Sequence, residues 1–170
     1  IRDSRKGVLE LATTAEVDTG TDTARAVTPA GVKSANTGTF DIWIPAAAMR
    51  PRVSNGCAAI QDVETTAGRA DLQVLDFDPS SDEFAQFSIA MPKSWDEGTV
   101  TASFYWTNMN AVTDAAVWTL EGVAVADSDT IPASFGSTQV IADDFGGAAK
   151  DLAISAATPA VTIGGSPAAG

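Results

Sequence analysis

Apolar side chains recur at every second position in several stretches beyond residue 40 and are sparse before it. Such alternation places one set of side chains on each face of a pleated strand. Thr99–Trp106 shows it best, with Val100, Ala102, Phe104 and Trp106 on one face and Thr99, Thr101 and Ser103 on the other. Phe84–Met91 alternates in the same way, with Ala85, Phe87, Ile89 and Met91 opposite Gln86 and Ser88. Ala115–Val125 reads as a long strand carrying Trp118, Leu120 and Ala124, with Gly122 marking a bulge or close packing. Phe40–Ile44, Ala58–Thr65, Asp71–Phe77, Ser137–Ala142, Asp151–Ser155 and Ala160–Ile163 complete the set. Pro45–Met49 reads as a short helical turn. Asn55-Gly56, Asp78–Asp82, Pro92–Gly98 and Asp127–Asp129 read as turns or loops. Short strands punctuated this regularly predict a mainly β fold, an antiparallel β-sandwich of jelly-roll type.

The stretch Lys6–Val32 follows different rules. Thr13 and Glu16 have capping-box spacing, which predicts one or two helical turns to about Asp18, stopped at Gly20. Thr28-Pro29 opens a second short helix, to about Ala35, with Thr as cap and Pro at the first helical position. Helices this short do not stand alone in water. Their few apolar side chains, with Val8, Leu9, Leu11, Val17, Val27 and Val32 among them, need partners from elsewhere. The composition shifts at Thr37–Phe40, which divides the chain into an N-terminal stem, 1–38, and a β domain, 39–170.

Charge sharpens the division. The formal net charge is −12, yet residues 1–40 hold five basic and five acidic side chains, so the excess lies beyond them. An acidic surface repels phosphate backbones and anionic bilayers, which argues against nucleic-acid and membrane partners. No apolar run approaches the roughly 18 residues of a membrane helix. The chain contains no histidine, so His-based nucleophile systems and the commonest zinc ligand are excluded. Cys57 is the single cysteine, without an intrachain disulfide partner, and reads as a small buried residue. Neither a signal peptide nor an initiator Met is seen, and both ends read as cuts in a longer polypeptide.

Candidate chemistry is thin. Asp76, Asp78 and Asp82, with Glu83, form an acidic turn that offers calcium oxygen ligands, though Pro79 interrupts it and the EF-hand glycine is missing; a solvated turn is the competing reading. Asp127/Asp129 and Asp143/Asp144 read as plain turn residues. No pair of carboxylates is marked out for glycoside hydrolysis, and the expectation is a protein that is not an enzyme and needs no cofactor. Trp43, Trp95, Trp106 and Trp118 are candidates for stacking on sugar rings. Trp106 and Trp118 fall on apolar strand faces and read as core, whereas Trp95, in a loop, and Tyr105, opposite Trp106, are the candidate ligand contacts. Arg50 and Arg52 are rare cations in an acidic domain, read as a subunit-interface ion pair or as surface salt bridges.

The opening stretch, Lys6-Gly7-Val8, Leu11 and then Ala26-Val27-Thr28-Pro29, resembles the short repeat of tailed-bacteriophage fibre proteins. The larger part, through Trp43-Ile-Pro-Ala-Ala-Ala-Met49-Arg-Pro-Arg52, Asn55-Gly56, Leu75-Asp-Phe-Asp78, Ala85-Gln-Phe87, Met91-Pro-Lys-Ser-Trp95 and Glu97-Gly-Thr-Val100, is similar to a domain of virion-associated proteins of tailed phages and prophages. The resemblance implies an elongated homotrimer on the virion surface, as a tail or head (capsid) fibre. Its partners would be other virion proteins and host surface glycan. It further implies that Leu9, Leu11, Val17, Val27 and Val32 meet their counterparts in neighbouring chains, and that more strands follow the turn at Ser166-Pro-Ala-Ala-Gly170.

Overall fold

The computed structural model describes residues 10–36, 40–111, 113–165 and 167, and the chain divides into two compact units between Trp43 and Ile44. Leu9 and the Lys6-Gly7-Val8 part of the repeat lie outside the described residues, as do Thr37–Thr39 and, apart from Pro167, the final turn.

The N-terminal unit is built on its caps. Helix α1 spans Thr14–Thr19 behind the N-cap Thr13. The Glu16 carboxylate accepts from the Thr13 N–H at 2.9 Å, while the Thr13 hydroxyl accepts from the Glu16 N–H at 3.4 Å. That reciprocal pair satisfies donors left open at a helix start. Gly20 ends the helix in the left-handed region at φ 64°, where a side chain is disfavoured. Helix α2 spans Pro29–Asn36, and the Thr28 hydroxyl accepts from the Gly31 N–H at 3.0 Å. Between the helices the chain closes on itself: Ala12 N–H donates to Ala26 O at 3.0 Å and Ala26 N–H to Glu10 O at 3.2 Å. Both helices, and the stop at Gly20, lie where the residue pattern puts them.

Among the described residues the second unit carries ten strands in five pairs, and strands outnumber helices. After a 3₁₀ turn at Ala46–Ala48, β1 (Arg50–Pro51) pairs with β4 (Ala85–Gln86). Strands β2 (Gln61–Glu64) and β3 (Asp71–Val74) form an antiparallel pair. Strand β5 (Tyr105–Trp106) pairs antiparallel with β9 (Ala153–Ile154), and β6 (Ala115–Leu120) with β8 (Gln139–Asp144). The fifth pair, β7 (Gly122–Val123) with β10 (Ile163–Gly164), is parallel.

Several expectations are corrected here. Among the described residues every hydrogen-bonded sheet has two strands, and one pair is parallel where the pattern predicts antiparallel pairing throughout. Phe40–Ile44 is not a strand, and Phe84–Met91 contributes ladder residues only at Ala85–Gln86. Ala115–Val125 is interrupted at Glu121, where β6 ends before β7. Asp143 and Asp144 belong to β8, not to a turn.

Thr99–Trp106, the best alternating stretch, is a regular strand only at its end. The segment it runs against, 155–161, supplies three residues for every two. Val100 and Val161 exchange both backbone bonds, at 3.1 and 2.8 Å. At the next two steps Thr158 N–H donates to Ala102 O and Ser155 N–H to Phe104 O, each at 2.9 Å. The return bonds end on side chains: Ala102 N–H on the Thr158 hydroxyl at 3.1 Å and Phe104 N–H on the Ser155 hydroxyl at 2.9 Å. Ser155 and Thr158 are accordingly buried. Each extra residue acts like a bulge, and the hydroxyl replaces the carbonyl that the bulge carries out of reach.

The β7–β10 pair needs the closest backbone approach in the unit. Gly136 N–H donates to Gly122 O at 2.9 Å, and Ala124 N–H to Gly164 O at 2.9 Å. A Cβ on Gly136 would lie 1.9 Å from Thr162 O. Of the two readings of Gly122, close packing holds: a Cβ there would meet the end of the Ile163 side chain, Cδ1, at 2.6 Å.

Candidate interaction surface

Aromatic rings form the centre on which the second unit's surface is hung. Trp118 on β6 stacks on Phe104 at 5.3 Å between centroids, and meets Phe77 and Trp106 edge-on at 5.6 and 5.9 Å. Trp106 continues the cluster to Phe145, at 5.2 Å, which is 1% exposed. Trp106 Nε1 donates to Asp143 Oδ2 at 2.7 Å, so the inward carboxylate of β8 satisfies the indole that the cluster would otherwise strand. Trp106 and Trp118 are therefore half-buried packing residues of the cluster.

That geometry decides what the opposite strand faces show. Along β6 and β8 half-buried and exposed residues alternate. Ala116, Trp118, Leu120, Gln139, Ile141 and Asp143 turn inward. Ala115, Val117, Thr119, Val140, Ala142 and Asp144 turn outward, with Val117 directly opposite Ala142 and Val140 opposite Thr119. Val117 is 65% and Val140 52% exposed. Next to Trp106, Tyr105 is exposed and stands opposite Ile154, which is also exposed. Large apolar side chains thus line outer faces as well as the inner one, a pattern in excess of the scattered apolar residues of an ordinary surface.

Trp95 departs from expectation. It is half-buried in its loop, and its Nε1 is buried without a hydrogen-bond partner. It is not an exposed platform. Trp43 is the exposed tryptophan, at 63%, which alternation alone did not single out because it sits in a run of apolar residues.

The acidic turn is locally satisfied. Asp78 accepts from the Ser80 N–H at 2.8 Å and from its hydroxyl, which holds its carboxyl below the ordinary value. Asp76 accepts from Gln61 Nε2 at 3.1 Å, and Glu83 from the Asp78 N–H at 2.7 Å. Asp76, Asp78 and Asp82 do not converge: among the described residues, no group of three acidic or cysteine side chains is placed to hold a metal ion. Arg52 lies 4.7 Å over the Phe84 ring. Arg50 Nη2 and Nε reach the Gln86 amide oxygen at 2.8 and 3.2 Å. Among the described residues neither arginine pairs with a carboxylate. Cys57 is buried, and burial first, then the Glu83 carboxylate, push its thiol above the ordinary value, which makes it a poor nucleophile.

In the N-terminal unit, Leu11, Val27 and Val32 are 55, 47 and 53% exposed. Val17 is half-buried, because its Cγ2 and the Val27 Cγ1 close on Gly31, each 3.2 Å from where a Cβ would sit. The small helix pair therefore has a contact of its own. Arg25 gathers the acids of this unit: it pairs with Glu16, with Asp22 at 2.9 Å and with Glu10 at 3.3 Å. Hydrogen bonds from Thr13 lower the Glu16 carboxyl, with help from Arg25. The Ala24 N–H, then Arg25, lower that of Asp22. Among the described residues no helix is long and apolar enough to cross a membrane. Comparison with protein-family models, with curated proteins and with solved structures returned no match.

Proposed function

We propose that this chain is a structural fibre or spike subunit of a tailed-phage virion. In this reading it is a homotrimer without enzymatic activity, and it displays a β-sandwich domain that adheres to the host surface. The resemblance of Lys6–Val32 to the fibre repeat motivates the reading. The observation that carries it is the exposure of Leu11, Val27 and Val32 in the isolated chain: three large aliphatic side chains, one on α2 and two in the segments flanking the helices, in a unit too small to cover them. Neighbouring copies of the stem supply the missing cover. The sandwich belongs to the same reading, since the outward apolar faces of the two-stranded ribbons are surfaces that a second β layer covers.

Adhesion by such a subunit rests on many weak contacts multiplied by copy number, not on one deep pocket. Exposed Tyr105 and Trp43 suit shallow contact with sugar rings. Sedimentation of the full chain at micromolar concentration tests the reading directly. A single species of three copies is expected, and a monodisperse monomer would overturn it. Antibody labelling of residues 137–155 on virions, viewed by electron microscopy, assigns the fibre to tail or head.

A further inference from the structure

Residues 52–57 form a loop that is fastened at both ends to a single residue, Phe84. The Phe84 carbonyl accepts from Arg52 N–H at 3.0 Å and from Cys57 N–H at 3.3 Å, and Phe84 N–H donates to the Asn55 carbonyl at 2.8 Å. Beside this clasp, β1 pairs with β4 through Pro51 and Ala85. Cys57, at the end of the loop, is 6% exposed.

The Asn55-Gly56 turn places reactive groups inside that clasp. Asn55 is exposed and stands in the left-handed region at φ 54°, a conformation that asparagine tolerates. The parallel bridge between Gly56 and Phe84 is made by the Asn55 carbonyl and the Cys57 N–H, so the Gly56 N–H lies outside it. Among the described residues neither that N–H nor the Asn55 carboxamide makes a hydrogen bond. Gly56 has no Cβ to shield its nitrogen, and none fits, because it would lie 2.1 Å from the Arg52 carbonyl oxygen. The asparagines farther along the chain differ. Asn108 precedes Met109, and its carboxamide oxygen accepts from the Asn110 N–H at 2.9 Å. Asn110 precedes Ala111.

We propose that Asn55 is a site of spontaneous covalent modification, converting through a cyclic imide to isoaspartate and aspartate, and that the isoaspartate form unfastens the Phe84 clasp and bares Cys57. The Gly56 nitrogen gives its proton to a solvent base and bonds to Asn55 Cγ. The Cγ–Nδ2 bond breaks, and Nδ2 takes up a proton and leaves as ammonia. Water then opens the imide. Cleavage between the Gly56 nitrogen and Cγ gives aspartate on an ordinary backbone. Cleavage between that nitrogen and the Asn55 backbone carbon gives isoaspartate, whose main chain runs on through Cβ and Cγ. One water is gained and one ammonia lost, and no oxidant or reductant is needed. In isoaspartate the carbonyl that held Phe84 N–H has become a free carboxylate, and the loop is longer by one main-chain atom between its fastened ends. The clasp no longer fits, and the shielding of Cys57 goes with it. The chemistry is independent of the fibre reading.

The test uses the full chain, incubated in mildly alkaline buffer with a reductant that is removed before labelling. Peptide mass mapping follows each asparagine, and enzymatic methylation of the new carboxylate identifies isoaspartate. Conversion at Asn55 is expected to run at least about tenfold faster than at Asn108 or Asn110. Molecules carrying isoaspartate are expected to react with iodoacetamide at Cys57 at least about tenfold faster than fresh protein. Asn55→Asp supplies the charge without the extra atom and is expected to keep Cys57 as slow as the parent does. Asn55→Gly accepts the positive φ and has no carboxamide, so its Cys57 is expected to stay slow throughout the incubation. Conversion at Asn55 no faster than at Asn108 and Asn110 overturns the site. Isoaspartate with Cys57 still slow, or a fast Cys57 in Asn55→Asp, overturns the unfastening.

Discussion

Ser155 and Thr158 carry more of the second unit than their size suggests. Each hydroxyl takes a backbone N–H that the mismatched segments would leave unpaired, and each side chain is buried. Thr158→Val keeps the shape and removes the acceptor, so it is expected to destabilise the protein by about 1–3 kcal/mol. Ser155→Ala should cost a similar amount, and Thr158→Ser less, as measured by urea unfolding. A second residue-scale prediction concerns acid. Glu16 and Asp22 are held below their ordinary values by hydrogen bonds and Arg25. A carboxyl lowered in the folded state contributes stability that is fully present above its unfolded value and is lost as the pH falls through the lowered one. The α1 cap is therefore expected to stay intact at neutral pH and to loosen only below the ordinary carboxylate range. Amide resonances of Thr13 and Ala24 followed from pH 7 into acid report it, and Glu16→Gln should abolish the transition at Thr13.

At the scale of the element, what was legible depended on how local its cause is. The caps Thr13, Gly20 and Thr28-Pro29 act within a few residues, so both helices could be placed from the residue pattern. Thr28→Ala is expected to lower the stability of α2 by about 1 kcal/mol, read from the hydrogen exchange of the Gly31 amide. Strands were legible by existence and poorly by extent. Alternation says which face a residue takes, not whether a partner backbone lies in register. Thr99–Trp106 lost most of its ladder to the longer count of residues 155–161, a fact about the other segment. The parallel pairing of β7 with β10 depends on glycines far apart in sequence. Gly136→Ala, whose Cβ would collide with backbone at Thr162, is expected to break that pairing and cost more than Gly146→Ala, where the space is open and the backbone is not left-handed; comparing the two melting temperatures decides it.

For the whole molecule the exposed apolar area is the leading fact. Among the described residues it falls on Leu11, Val27 and Val32 in the N-terminal unit and on Val117 and Val140 in the β unit. A chain that folds with its neighbours has a stability tied to concentration. Under the proposed trimer, diluting the protein is therefore expected to lower its unfolding temperature, and an unfolding temperature constant over a hundredfold dilution would speak for a self-sufficient monomer.

The residue pattern by itself determined the mainly β character, the two short capped helices, the neutral N-terminal stretch before an acidic remainder, and the absence of histidine. These follow from periodicity, capping and composition, which act locally or in sum. The tertiary structure alone decided that Trp95 is half-buried while Trp43 is exposed, that Asp143 turns inward to hold the Trp106 indole, that Asp76, Asp78 and Asp82 each find separate partners or none, and that hydroxyls complete a mismatched ladder. Each of these depends on which distant segment arrives opposite a given residue, and no periodicity within the residue's own strand encodes that.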